Sequence, residues 1–393
     1  MTTTSSSERT HIAIFGRCNA GKSTLVNRLT GQDVSIVSPV RGTTTDPVQK
    51  AMEVSGLGAA LLIDTPGLDD DTLLGNERTA RTAKVLDKTD LAIVLFTDEE
   101  HDIEQLLIEE CRVREIPVIA ALAHIDRMED YPTLQATLAT LLGRNIIAIS
   151  ALTGEGIDEL TKAIVALRPT EERLITEGFC QAGDHVLLVM PQDKSAPKGR
   201  LIQPQVQTLR ELLDRGCTPI CCTPDRMAQA LAALATPPAL IITDSQAFEE
   251  VYRQKPAASV LTSFSILFAR YKGDIALFTE GVKALEKITA SSRILIAEAC
   301  THTPQNEDIG RVKLPRLLRK RFGEALQVDV VGGADYPTDL TLYDLVIHCG
   351  ACMFNRKHVL SRIERARRQG VPITNYGIIL AALTGVLPRV KTN

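Results

Sequence analysis

The 393-residue sequence contains no tryptophan, and aromatic residues make up only 4% of it. That scarcity argues against stacking platforms for unpaired bases. Long apolar runs are also missing. The longest stretches, 117–123 and 377–387, fall well short of the roughly 20 residues that span a bilayer. Neither sign of charge dominates: 44 Lys and Arg stand against 48 Asp and Glu, a net −4, so nothing marks a nucleic-acid partner. The first nine residues are polar and rich in Ser and Thr, without the apolar stretch of a secretory signal. The expectation is a soluble, cytoplasmic protein with no membrane and no nucleic-acid partner. Nine cysteines, an odd count in so long a chain, do not suggest a disulfide framework. Cys111, Cys180, Cys217 and the adjacent Cys221 and Cys222 read as core-packing thiols.

A chain of this length exceeds one core. From 11 to 168, short apolar runs (11–15, 59–63, 91–96, 118–123, 145–149) alternate with helical patterns, which predicts a mainly parallel sheet with helices on both faces. Further strands are expected at 186–190, 218–222 and 240–243, and then at 293–297, 328–331 and 345–348. The predicted fold class is α/β: an N-terminal P-loop GTPase domain (1–170) followed by two further α/β domains with mainly parallel sheets (171–273 and 274–393).

Gly16-Arg-Cys-Asn-Ala-Gly21-Lys22-Ser23 matches G-x-x-x-x-G-K-[ST] between a strand and a helix. Its glycines let backbone N–H groups face the phosphates, and the helix N-terminus adds favourable dipole charge. Gly16, Asn19, Ala20, Gly21, Lys22, Ser23 and Thr24 are the expected phosphate contacts. Lys22 is assigned to the β/γ-phosphates and Ser23 to Mg²⁺. Asp64-Thr-Pro-Gly67 supplies the magnesium-side carboxylate and the γ-phosphate-sensing glycine. Between them, 41–46 fits a first switch loop in which Thr44, or failing it Thr43, closes on Mg²⁺. Lys22, Thr44, Asp64 and Gly67 are thus the candidate catalytic residues. Asp126, Ser150 and Ala151 are expected at the guanine base. The Asn-Lys pair usual before this aspartate is replaced by Ala123 and His124, so contacts to the ring face and to the loop are expected to be lost. Leu68, after Gly67, cannot orient a water as glutamine would.

Cys300-Thr-His302 and His348-Cys349-Gly-Ala-Cys352 follow predicted strands, at the carboxyl ends where α/β sheets place ligands. Three thiolates suit an iron–sulfur cluster or zinc, the latter as Cys₃His with His302 or His348. A Cys-x-x-Cys redox pair is a further reading. Glu307 is a candidate oxygen ligand to an open iron.

The P-loop segment resembles the tRNA-modification and ribosome-assembly GTPases. That resemblance implies K⁺ bound by Asn19 and K⁺-stimulated hydrolysis. The whole chain resembles the FeFe-hydrogenase maturation GTPase family, HydF. The resemblance rests on Glu298-Ala-Cys-Thr-His302, His348-Cys-Gly-Ala-Cys-Met353, Asn375-Tyr-Gly377 and the stretches 196–208, 243–248, 262–270 and 308–313. It implies a GTPase domain, a dimerisation domain and a cluster-binding domain, in a homodimer or higher oligomer. A 4Fe–4S cluster is implied on Cys300, Cys349 and Cys352, with Glu307, His302 or His348 as the fourth ligand. The implied role is a scaffold that receives a two-iron precursor from radical-SAM maturases and delivers it to apo FeFe-hydrogenase. Thr303 stands where family members often carry a second histidine. The competing readings are a ribosome- or tRNA-associated GTPase with structural zinc, and a GTPase gated by cluster redox state.

Overall fold

The computed structural model describes residues 5–31, 48–69, 75–167, 173–192, 201–299, 309–333 and 335–392, with residues 75–78 described by their backbone only. The chain divides into two compact units, Met1–Glu171 and Glu172–Asn393. Among the described residues no helix is long and apolar enough to cross a membrane.

The first unit holds β1 (Thr10–Gly16), β2 (Val48–Val54), β3 (Gly58–Asp64), β4 (Leu91–Phe96), β5 (Val118–Leu122) and β6 (Ile146–Ala148), in the order β2-β3-β1-β4-β5-β6. All neighbours are parallel except β2 and β3. Ile12, Ala13, Ile14 and Phe15 of the central β1 are fully buried, alternate residues feeding a core on each face. A sheet covered on both sides needs such continuous apolar strands. The edge strand β2 alternates exposed and buried residues instead, which is why no apolar run announces it.

The second unit contains two four-stranded parallel sheets. One is built from β7 (His185–Val189), β8 (Thr218–Cys222), β9 (Leu240–Thr243) and β10 (Val260–Ser263), in the order β10-β9-β7-β8. The other is built from β11 (Arg293–Ala297), β12 (Gln327–Val331), β13 (Leu345–His348) and β14 (Ile373–Asn375), in the order β12-β11-β13-β14. One continuous core joins them: Leu187, Val189 and Ile241 belong to the same apolar cluster as Ile294, Ile296, Val346 and Ile347. The helix Phe264–Lys272 packs between them with Phe264, Ile266, Leu267 and Phe268 buried. The expected boundary at 273/274 therefore falls inside a single compact unit.

Core packing holds for Cys111 and Cys217, and the half-buried Cys180 packs against the same cluster as Cys217. The core-packing expectation needs correction at Cys221, while Cys222 packs against the core of the second unit. Cys221 is exposed and Cys222 half-buried, because β8 is an edge strand with one neighbour.

Candidate functional site

The P-loop leaves β1 at Gly16 and turns into the helix Lys22–Thr30. Asn19 and Gly21, at φ 61° and 83°, both adopt left-handed backbone. Gly21 does so as the residue that starts the helix. Lys22 is buried and donates from Nζ to the carbonyls of Gly16 (3.0 Å) and Arg17 (2.6 Å), which fixes its ammonium under the loop. Ser23 Oγ donates to Asp64 Oδ2 at 2.6 Å. Asp64 is 1% exposed, and burial raises its carboxyl above the usual range against the pull of Ser23, Lys22 and Lys50. Its Oδ1 is buried without a hydrogen-bond partner. A hydroxyl beside a carboxylate with an oxygen to spare suits a hard divalent cation such as Mg²⁺. Gly67 lies directly against the loop; a Cβ there would sit 2.3 Å from Cys18 Sγ. Arg17 is engaged by Glu104 (3.1 Å) and Glu100 (2.9 Å). Thr43 and Thr44 lie outside the described residues.

At the base end, Ser150 Oγ donates to Asp126 Oδ1 at 2.6 Å, and this bond holds the Asp126 carboxyl below its ordinary range. Arg28, on the P-loop helix, donates to the carbonyls of Ala151 (2.7 Å) and Leu152 and ties the base loop to the phosphate loop. The expected loss of the loop contact is overturned. His124 Nε2 donates to the Asn19 carbonyl at 2.9 Å, and its ring lies over Gly21. An imidazole N–H thus does the work expected of a lysine at this position. Replacing His124 by alanine is expected to weaken GTP and GDP binding alike by about 1 kcal/mol, roughly fivefold. Equilibrium titration with a fluorescent nucleotide measures this, and unchanged affinity for both would show the contact to be idle.

The second constellation lies at the carboxyl end of β13. Cys349 is buried, and its Sγ accepts N–H bonds from Ala299 (2.9 Å) and Ala351 (3.4 Å). Ala299 is the last described residue before Cys300. Cys300, His302 and Glu307 themselves lie outside the described residues. Cys352, half-buried, closes the same turn, in which Ala351 adopts φ 51°. Burial pushes the Cys349 thiol up to about 11. Among the described residues no group of three or more His, Cys, Asp or Glu side chains is gathered for a metal.

His348 has both ring nitrogens engaged: Nδ1–H donates to the Cys349 carbonyl (2.8 Å), and Nε2 accepts from Arg362 (3.3 Å). Burial and the Arg362 charge lower it to about 3, so it is neutral. In this geometry it braces the cysteine turn instead of offering a lone pair to a metal, which corrects its candidacy as a fourth ligand.

Three further residues hold this turn. Lys272, 3% exposed, donates to the carbonyls of Ala351 (3.0 Å) and Phe354 (2.8 Å). Asn375 Nδ2 donates to the Cys349 carbonyl at 3.3 Å. Arg362 reaches the carbonyls of Glu298 (3.4 Å) and Gly333 from between the rings of Tyr336 and Phe354. No sequence signal singled out Lys272, which reads as the start of a Lys-Gly-Asp boundary.

Family models match the chain in three consecutive stretches. They are a 50S ribosome-binding GTPase over 11–124, the hydrogen maturase F dimerization domain over 175–273 and the hydrogen maturase F tetramerization domain over 276–392. The chain belongs to the hydrogen maturase F family. It carries that family's dimerization and tetramerization domains behind a GTPase domain.

Two curated relatives align with part of the chain. The tRNA modification GTPase MnmE of Legionella pneumophila (strain Paris) is 34% identical over 171 residues, 42% of this chain and 36% of the relative. GTPase Era of Azotobacter vinelandii is 31% identical over 178 residues, 42% of this chain and 58% of the relative. The chain thus spans about a third of the first relative's length and under two thirds of the second's. A crystal structure of Era in complex with MgGDPNP and part of 16S ribosomal RNA aligns at a TM-score of 0.37 and 20% identity. It covers 57% of this chain and 98% of that one.

Proposed function

We propose that this member of the hydrogen maturase F family is a cytoplasmic scaffold that holds a 4Fe–4S cluster through Cys300, Cys349 and Cys352. In this reading it accepts a two-iron precursor from radical-SAM maturases and passes it to apo FeFe-hydrogenase. The observation that carries the proposal is the environment of Cys349. Its sulfur accepts two backbone N–H bonds, one from the residue preceding Cys300, at the carboxyl ends of two adjacent parallel strands. Backbone N–H···S bonds are among the levers by which proteins tune thiolate-bound clusters. The residues present therefore suit the group. A cluster held by three thiolates leaves one iron for an exchangeable ligand, which a carrier requires. Lys272, His348 and Asn375 keep the cysteine turn in place through its carbonyls, whichever ligand completes the site.

On the nucleotide side, Lys22, Ser23 and Asp64 bind the phosphates and Mg²⁺, Thr44 joins when the γ-phosphate is present, and Asp126, Ser150 and Ala151 face the base. Asn19 is the proposed K⁺ ligand, so hydrolysis as fast in Na⁺ as in K⁺ would remove that assignment. Response of Thr44 and Gly67 to the γ-phosphate would give the nucleotide a means of biasing a partner interface.

Anaerobic reconstitution with iron and sulfide tests the cluster. A broad visible charge-transfer absorption is expected, and it should vanish in a Cys300→Ser, Cys349→Ser, Cys352→Ser variant that keeps its GTPase activity. Tight zinc uptake without an iron chromophore would instead support a ribosome- or tRNA-associated GTPase with structural zinc. One observation favours that second reading. Residues 276–392 carry 17 Lys and Arg against 11 Asp and Glu, a formal +6, which the whole-chain charge of −4 conceals.

A further inference from the structure

GTP hydrolysis in this fold needs a group to aim the attacking water. Leu68 follows Gly67 where a glutamine often stands, and the structure shows where its side chain goes. It is 7% exposed and packed among Phe15, Ile63 and Leu107 in the core beneath the sheet. The backbone of this segment nevertheless runs along the P-loop, for the Leu68 amide donates to the Gly16 carbonyl at 3.1 Å and Gly67 touches Cys18. The next side chain turns back towards the loop. Asp69 Oδ1 accepts from the Cys18 amide at 2.5 Å.

We propose that Asp69 is the water-orienting residue of this GTPase, standing in for the glutamine that Leu68 replaces. A carboxylate has two oxygens with about four acceptor sites between them; the Cys18 amide, the Cys18 thiol and the Asp69 backbone N–H take up part of that capacity and hold the carboxylate against the loop. Partial burial pushes the Asp69 carboxyl up, but hydrogen bonds from the Cys18 amide, the Cys18 thiol and its own backbone N–H, with the Lys22 charge nearby, hold it below its ordinary range, so it is an acceptor at neutral pH. It lies on the rim of the P-loop formed by Cys18 and Gly67, the γ-phosphate-sensing side of the loop. In the step it serves, the water oxygen forms the new bond to the γ-phosphorus and the bond to the β–γ bridging oxygen breaks. GDP leaves with that electron pair, and the proton of the water passes to the phosphate product. Asp69 accepts a hydrogen bond from this water and sets its direction. The inference depends only on the GTPase unit and is independent of the cluster.

Single-turnover hydrolysis with Mg²⁺ and saturating GTP tests it on the full-length chain, alongside titration of GDP and a non-hydrolysable GTP analogue. Asp69→Asn keeps an acceptor for the Cys18 amide but loses the charge. Its rate is expected to fall by about 10²-fold, the scale on which mispositioning of a reacting group is felt, with both nucleotide affinities within about twofold of the parent. Asp69→Glu should recover part of the rate. An unchanged rate in Asp69→Asn would overturn the proposal. So would an equal loss of binding and turnover in Asp69→Asn and Asp69→Ala, since that pattern belongs to a residue that merely shapes the loop.

Discussion

Replacing Lys22 by alanine is expected to lower GTP turnover by at least about 10²-fold, the scale on which loss of one charge-stabilising donor is felt. The structure gives the reason in two parts. The ammonium is pinned under the loop by the Gly16 and Arg17 carbonyls, so its position is set before any phosphate arrives. It is also buried, so its charge acts with little screening by water. Alanine removes the charge and leaves both carbonyls without that donor. Phosphate release under saturating GTP measures the loss, and a variant within tenfold of the parent would refute the assignment. The same variant should keep the melting behaviour of the second unit and its capacity for iron. A parallel loss there would mean that the two units do not act separately.

Arg362→Ala is expected to destabilise the second unit by about 3–5 kcal/mol, as both a cavity and orphaned buried acceptors result. Arg362 is 2% exposed. Its planar head lies 4.7 Å from the Tyr336 ring centroid and 4.6 Å from that of Phe354, and it supplies donors to His348 and to the carbonyls of Glu298 and Gly333. Lysine cannot reproduce this fork, so Arg362→Lys should recover only a minor share. Urea unfolding followed by far-UV circular dichroism gives the number, and a loss under about 1 kcal/mol would show that the arginine is a spectator. Arg365→Ala, one helical turn further on and only half-buried, is the control.

Local chemistry made some of this site legible and distance hid the rest. The P-loop and Asp64–Gly67 are contiguous motifs whose residue types dictate their geometry, so they could be read directly. So could Leu68, whose side chain has no polar atom. The strands that escaped notice were β2, with its solvent-facing alternation, and the short β10 and β14. His124 was misjudged because a substitution was read as a lost contact, although a different donor reaches the loop. The residues that brace Cys349 were out of reach for another reason. Lys272 lies 79 positions before the carbonyl it holds at Ala351, and Arg362 lies 64 positions after Glu298. Nothing in a lysine next to a Gly-Asp turn, or in one arginine among several on an amphipathic helix, betrays a buried partner. Charge was hidden by averaging, the basic C-terminal stretch being offset by acidic residues elsewhere.

The apolar cluster that runs unbroken from β7 and β9 into β11 and β13 has an evolutionary corollary. A module can be shuffled between genes only if its severed face tolerates water. Recombination near position 273 would leave each half with raw hydrocarbon where its sister sheet had been. These two sheets are therefore expected to travel through descent as a pair.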